Sequence, residues 1–169
     1  MGIFSKDIKS LDDLFVHQLR DIFYAERRIE KSLPKLISKA NSGELSEALS
    51  SHLEETHEHV VRLQEVFRLL NVKAEEVDCP AIDGILKEAD EIAGDVADTA
   101  VLDAAIIAAA QAVEHYEMAR YGTLIAWARR LGRDDCANIL QETLDEEKHA
   151  DTTLTDIAQS SVNEDAAVA

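Results

Sequence analysis

Residues 108–117 read Ala-Ala-Ala-Gln-Ala-Val-Glu-His-Tyr-Glu, and they give the clearest indication of the kind of fold. Alanine is the strongest helix former, and neither glycine nor proline interrupts the run. Asp98 can cap a helix that passes through this stretch and ends at Leu131. Glu117 lies near the apolar face of that helix, and Glu114 lies one turn earlier at the edge of the same face. The stretch therefore predicts a long helix that turns carboxylates toward a protein core.

Three further long helices are predicted from apolar residues that recur at helical spacing. The first begins at Leu11, behind a Ser10 cap, and stops at Asn41-Ser42-Gly43. The second covers about residues 42–70 and the last about residues 133–159. Each of the four is long enough, at 1.5 Å per residue, to span a small domain.

The connections between these helices indicate the topology. Tight joints between the first and second helices, and between the third and fourth, predict two antiparallel helical hairpins. Residues 71–98 form a long crossover between the hairpins, with a short extra helix at about 80–93. The prediction is an all-α, ferritin-like four-helix bundle. Residues 1–159 are expected to form a single domain, and residues 160–169, which have no apolar stripe, a disordered tail.

Composition and charge limit the classes of partner. The formal charge of −17 disfavours nucleic acid and anionic membrane surfaces, and no apolar run is long enough to span a membrane. Cys79 and Cys136 form no disulfide framework, and residues 1–7 lack the layout of a secretory signal. We therefore expect a cytoplasmic protein with free thiols.

Acidic side chains fall where the core should be. Each of the four predicted helices carries carboxylates near its midpoint on or beside its apolar face, and midpoints meet in one layer of an antiparallel bundle. Such a cluster is costly unless it holds protons or cations, and carboxylates with imidazole suit Fe, Mn or Zn. The candidate metal ligands are Glu26, Glu55, His59, Glu114, Glu117, Glu147 and Asp151.

Two alternatives to this ligand set remain open. A literal Glu-x-x-His motif occurs as Glu54/His57 and as Glu146/His149, although helical angles point these pairs away from the apolar stripes. The mid-helix glutamates could instead form ion pairs with basic residues of the bundle. The candidate partners are Arg27, Arg28, Arg120 and Lys148, and His17, His52 and His115 are expected at the surface or at an interface.

The chain resembles the YciE/YciF-type bacterial stress proteins from Leu11 to Ile157. The segments that carry the resemblance are 21–26 (DIFYAE), 52–56 (HLEET), 108–117 (AAAQAVEHYE), 121–124 (YGTL) and 146–148 (EEK). Residues 114–117 also resemble the paired-glutamate turn of rubrerythrins. The resemblance implies a rubrerythrin-like di-metal centre and a homodimer. It departs from rubrerythrins in two respects: no Cys-x-x-Cys pair is present, and Ala150 stands where Glu-x-x-His would need a histidine.

We expect a non-haem protein with two divalent metal ions, iron first and Mn or Zn as alternatives. It would oxidise Fe(II) or reduce peroxide as a ferroxidase or peroxidase-like oxidoreductase, and an enzyme of this kind would need an external electron donor. One rival is a non-enzymatic, dimeric stress or interaction protein with a structural or vestigial metal site. A further rival is a metal-free acidic bundle that binds a basic partner.

Overall fold

Four long helices form the core of the computed structural model, which describes residues 8–169. The described residues contain no strand, which confirms the all-α prediction. The helices, in chain order, are α1 (Leu11–Lys39), α2 (Gly43–Leu69), α3 (Pro80–Asp95), α4 (Thr99–Arg130), α5 (Asp134–Ile157) and α6 (Asn163–Ala167). A π-helical segment, Ala158–Val162, joins α5 to α6.

Side-chain caps start three of the long helices at the predicted places. The Ser10 hydroxyl accepts the Asp13 N–H ahead of α1, and the Ser42 hydroxyl accepts the Leu45 N–H ahead of α2. The Asp98 carboxylate accepts two backbone N–H groups ahead of α4. Beyond α4, Gly132 has a φ of 71°, a conformation that glycine adopts without steric cost.

The topology is the predicted pair of helical hairpins with a long crossover. Residues 40–42 join α1 to α2 and residues 131–133 join α4 to α5, while α2 also packs on α5 and α1 on α4. The crossover carries α3, which packs against α4 and α1. Asp83 of α3 accepts hydrogen bonds from Tyr24 and Arg28 of α1, both at 2.8 Å. These contacts hold the crossover along one side of the bundle.

A spacing of alternately four and three residues runs along the buried side of α1, α2 and α5, as is usual in helix bundles. In α1 the buried series is Phe15, Leu19, Ile22, Glu26, Ile29, Leu33 and Leu36. In α2 it is Leu45, Leu49, His52, Thr56, His59, Leu63 and Val66. In α5 it is Cys136, Leu140, Thr143, Glu147, Leu154 and Ile157, with Ala150 at the step between Glu147 and Leu154. Polar residues thus occupy the middle of otherwise apolar seams.

The C-terminal segment departs from the expected disordered tail. The chain stays helical through the π segment and α6 to Ala167, and both elements pack on α4. Val162 is only 3% exposed and Ala158 is also buried. Two apolar residues four apart are enough to anchor one extra turn, but they are too few to give a stripe visible in the sequence. The ordered unit therefore continues past residue 159.

Within residues 8–169, no helix is long and apolar enough to cross a membrane. The expectation that residues 1–7 carry no secretory signal lies outside the described part of the chain.

Candidate metal centre

Six buried side chains from all four long helices meet at the middle of the bundle. Each is at most 6% exposed. Pairs on one helix share a face because they lie three or seven residues apart, as Glu114 and Glu117 do in α4 and His52 and His59 do in α2. The full set is Glu26, His52, His59, Glu114, Glu117 and Glu147.

One group of potential ligands consists of Glu26, His59 and Glu147, whose ligand atoms lie within 4.8 Å of one another. His59 Nδ1 lies 3.1 Å from Glu147 Oε1 and 3.5 Å from Glu26 Oε1. The Tyr121 hydroxyl donates a hydrogen bond to Glu26 Oε1. All four side chains are fully buried. We call this group the inner position.

A second group consists of His52, Glu114, Glu117 and Glu147, again with ligand atoms within 4.8 Å. His52 Nε2 lies 3.3 Å from Glu114 Oε1 and 3.9 Å from Glu147 Oε2. We call this group the outer position. Glu147 belongs to both groups and turns a different oxygen toward each histidine, so it is placed to bridge two cations.

Most of the polar atoms of the six side chains lack a hydrogen-bond partner among the described residues. The unpartnered atoms are Glu26 Oε2, both ring nitrogens of His52, His59 Nδ1, Glu114 Oε2, and both oxygens of Glu117 and Glu147. Burying one such group without a partner costs several kcal/mol, and a charged group costs more. Cations of the kind that carboxylate and imidazole bind would satisfy these atoms, so the donor set fits two divalent metals.

The same burial governs the protonation of the site. Burial, reinforced by the charge of Glu147, raises the pKa values of Glu114 and Glu117 well above that of an ordinary carboxyl group. Burial alone would lower the pKa of His59, but the carboxylates of Glu26 and Glu147 outweigh it and raise the pKa to about 11. Without metal the cluster therefore holds protons at neutral pH, and a metal ion must displace them to bind.

Glu146 and Arg62 fix the orientation of His59. His59 Nε2 lies 2.8 Å from Glu146 Oε2, and a carboxylate there requires that Nε2 carry the proton. Arg62 holds Glu146 with two hydrogen bonds of 2.5 and 2.8 Å. Burial would raise the pKa of Glu146, but its bonds with Arg62 and His59 lower it overall. This series of hydrogen bonds leaves Nδ1 of His59 facing the inner position. Carboxylates that orient histidine ligands act in the same way in metal proteins.

The structure brings together five of the seven candidate ligands and separates the other two. Glu26, His59, Glu114, Glu117 and Glu147 converge. Glu55 lies at the rim, where its side chain is 32% exposed and its Oε2 lies 3.5 Å from His52 Nδ1. Asp151 faces another neighbourhood, where it accepts a 3.0 Å hydrogen bond from Gln111 and lies 3.3 Å from His115.

His52 belongs to this buried cluster, although the sequence analysis expected it at the surface or at an interface. It is 6% exposed and faces Glu114. Leu53, the next residue along α2, is only half-buried and lies outside the four-three series. That series, which repeats after seven residues, puts His52 and His59 on the same seam and would have identified both.

The alternatives to this ligand set do not converge in the structure. Glu54, His57 and His149 are exposed, and His57 pairs with Glu30 at 2.8 Å. The basic residues considered as partners of the mid-helix glutamates bind elsewhere. Arg27 pairs with Glu76, Arg28 with Asp83, Arg120 with Gln18 and Lys148 with Asp145.

Comparison with known proteins matches nearly the whole chain. The family model described as a domain of unknown function, DUF892, matches residues 10–167. YciF of Escherichia coli strain K12 is 42% identical over 161 residues, which cover 95% of this chain and 97% of YciF.

Solved structures also match most of the chain. YcfI of Rhodopseudomonas palustris, which has been suggested to be a structural protein, is 58% identical with a TM-score of 0.88, over 90% of this chain and 98% of that one. The crystal structure of the E. coli stress protein YciF is 43% identical with a TM-score of 0.88, over 92% and 99%. The protein XCC3681 of Xanthomonas campestris pv. campestris, at 22% identity and a TM-score of 0.75 over 92% and 96%, shares the fold.

Proposed function

Because the chain belongs to the DUF892 family of YciF-type stress proteins, we propose that it is a ferritin-like protein with a di-metal, preferentially di-iron, carboxylate centre. The observation that carries the proposal is the layer of unpartnered, fully buried carboxylate and imidazole atoms on both sides of Glu147. A fold that gained nothing from these groups would lose stability by burying them, so a ligand is the simplest reason for their presence.

The inner and outer positions divide the ligands between the two ions. Glu26 and His59 would hold one ion, and His52, Glu114 and Glu117 the other, with Glu147 shared. Tyr121 orients Glu26 through its hydrogen bond, and Glu146 orients His59. The apolar seams above and below the layer exclude bulk water, which strengthens the electrostatic interactions within it.

The chemistry that such a centre supplies is two-electron reduction of peroxide or of O₂ coupled to oxidation of iron. Reduction of one hydrogen peroxide to two waters takes up two electrons and two protons, and oxidation of two Fe(II) to two Fe(III) supplies the electrons. Repeated turnover requires reduction by an external one-electron donor, because the chain has only Cys79 and Cys136, which are buried and 57 positions apart, and no Cys-x-x-Cys pair.

Stopped-flow absorbance in the near-UV tests this function. Apo protein mixed with Fe(II) and hydrogen peroxide should oxidise iron faster than buffer does. Glu117→Ala should bring the rate down to that of buffer, because it removes a ligand that has no other partner. The matched control is Glu54→Ala on the exposed side of α2, which should keep the wild-type rate. Equal rates for wild type and Glu117→Ala would reject a catalytic iron centre.

A non-enzymatic protein is the second candidate, and the 58% identical YcfI, which has been suggested to be a structural protein, favours it. In that case the ions would stabilise the bundle without turnover. The protein would then bind two ions and unfold at a higher temperature with them, yet oxidise Fe(II) no faster than buffer. Metal-dependent stability together with accelerated oxidation would leave the catalytic function as the better explanation.

A further inference from the structure

A cavity of about 110 Å³ lies between α2 and α5 on one side of the metal centre. Its floor includes His52 and Glu114, Glu55 lies at its rim, and its other lining residues include Ala150 and Thr153 of α5. Thr153 and Ala150 are partly exposed, so the cavity reaches solvent. The cavity follows from the sequence, because Ala150 occupies the step of the α5 seam between Glu147 and Leu154 and its side chain is too small to fill the gap.

The two metal positions differ in their relation to this cavity. His52 and Glu114 of the outer position line it. Glu26 and His59 of the inner position do not line it and are 0% exposed. An ion in the outer position would lie at the cavity floor, whereas an ion in the inner position would lie behind it.

The side chains at the floor are ready to receive a ligand. Both ring nitrogens of His52 and the Oε2 atom of Glu114 have no hydrogen-bond partner among the described residues, although both side chains are more than nine-tenths buried. The side chain of Glu55, at the rim, is 32% exposed, and its Oε2 atom lies 3.5 Å from His52 Nδ1. A carboxylate that touches both solvent and a buried imidazole can take a cation from water and transfer it inward.

We propose that this cavity is the route by which divalent cations and a small oxidant reach the outer position, with Glu55 as the first carboxylate that a cation meets. The proposal rests on the di-metal function. It makes the two ions inequivalent: the outer ion exchanges and accepts exogenous ligands, and the inner ion exchanges slowly. The cavity has room for about three or four water molecules at roughly 30 Å³ each. A space of this size can admit O₂ or hydrogen peroxide. The apolar walls that Leu49 and Leu154 provide suit such uncharged molecules.

Cobalt(II) exchange tests the route, because the visible spectrum of Co(II) reports each ion. Protein loaded with two Co(II) is mixed with excess EDTA, and in parallel with azide. We expect one Co(II) to leave at least tenfold faster than the other, and azide to change the spectrum of one equivalent. Thr153→Trp, at the mouth, should slow the fast phase at least tenfold. Thr152→Trp, the adjacent exposed residue outside the lining, should leave it unchanged.

Two further variants keep the test decisive. Ser51→Trp narrows the mouth from the α2 side and should reproduce the effect if Thr153→Trp fails to fold. Glu55→Gln should slow loading at least threefold while two ions still bind. Two ions that leave at one common rate, or a fast phase that neither tryptophan slows, would overturn the route and leave the di-metal function intact. A protein that binds no Co(II) would overturn both.

Discussion

Glu147 lies where the inner and outer positions meet. It is fully buried, its two oxygens face different histidines, and neither oxygen has a hydrogen-bond partner among residues 8–169. The pKa of its carboxyl group is raised, because the effect of burial outweighs the lowering by His59. A residue held in this way contributes little to an apo bundle, and the proposed di-metal function would explain its position.

At the same scale, Glu146 should matter for affinity although it is not a proposed ligand. Glu146→Gln weakens the link between Arg62 and His59, so His59 loses its fixed orientation. We expect metal affinity to fall about 10- to 100-fold, as for other residues that orient ligands. Competition with a chromophoric chelator measures it. Glu142→Gln is the matched control, since Glu142 lies 3.6 Å from Arg62 but has no bond with His59. Equal affinities for both variants would refute the orienting role.

The raised pKa of Glu117 predicts how apo stability changes with pH. A carboxyl group whose pKa is higher in the folded than in the unfolded state contributes stability that is present below its unfolded pKa, 4.5. That stability is lost as the pH rises through the folded value. Each proton held only by the folded state gives a slope of about 1.4 kcal/mol per pH unit. We therefore expect the free energy of unfolding of apo protein to fall above pH 4.5 more steeply in wild type than in Glu117→Gln.

Urea unfolding of apo protein at a series of pH values measures these slopes. The exposed Glu54→Gln variant should keep the wild-type slope. Saturation with metal should flatten the wild-type curve, because the ion replaces the protons. A Glu117→Gln slope as steep as that of wild type would contradict the burial argument for this residue.

At the scale of the helix, local signals explain why the fold was predictable. Ser10 and Asp98 each start the helix that their side chains were expected to cap, and Ser42 caps α2 close to its predicted start. The lengths of the joints then fix which helices are antiparallel neighbours. The inward direction of Glu26 and Glu147 could also be predicted, because both stand in the middle of regular apolar seams.

The parts of the site where the structure differs from the sequence analysis depend on small differences in helix rotation and on tertiary contacts. A rotation of one residue separates buried His52 from half-buried Leu53, and the sequence analysis did not resolve this difference. Glu55 and Asp151 lie beside the seam instead of on it, so neighbouring helices decide what they contact. Glu146 of α5 forms hydrogen bonds with His59 and Arg62 of α2. The two helices lie far apart in the sequence, so only the tertiary structure shows this contact.

The C-terminal extension gives a prediction at the same scale. Val162 is 3% exposed against α4, whereas Val168 is 82% exposed. Val162→Asp should lower the free energy of unfolding by about 2–4 kcal/mol, because it buries a charge in an apolar contact. Val168→Asp should change it by less than about 0.5 kcal/mol. Urea unfolding compares them, and equal stability of both variants would indicate that the segment beyond α5 is not packed.

For the whole molecule, a dimeric assembly would limit how much iron can be held. The resemblance to YciE/YciF-type proteins implies a dimer, and a dimer encloses no space for a mineral. We expect light scattering to give twice 18.7 kDa, and iron loading to stop at two ions per chain. A mass of 18.7 kDa would refute the dimer. Retention of many more irons per chain would refute a centre of only two ions.

The net charge of −17 also belongs to this scale. It concentrates cations near the surface and favours their capture, but this attraction is screened by salt. The buried layer is screened far less. Metal loading should therefore slow with added salt, while the number of ions bound stays at two per chain.

Anomalous X-ray scattering from crystals of untagged protein, loaded with iron or manganese, tests the central claim most directly. We expect two anomalous peaks in the buried layer, one beside Glu26 and His59 and the other beside His52 and Glu114, with Glu147 between them. Crystals that show anomalous peaks only at surface carboxylates, with none in that layer, would contradict the di-metal centre.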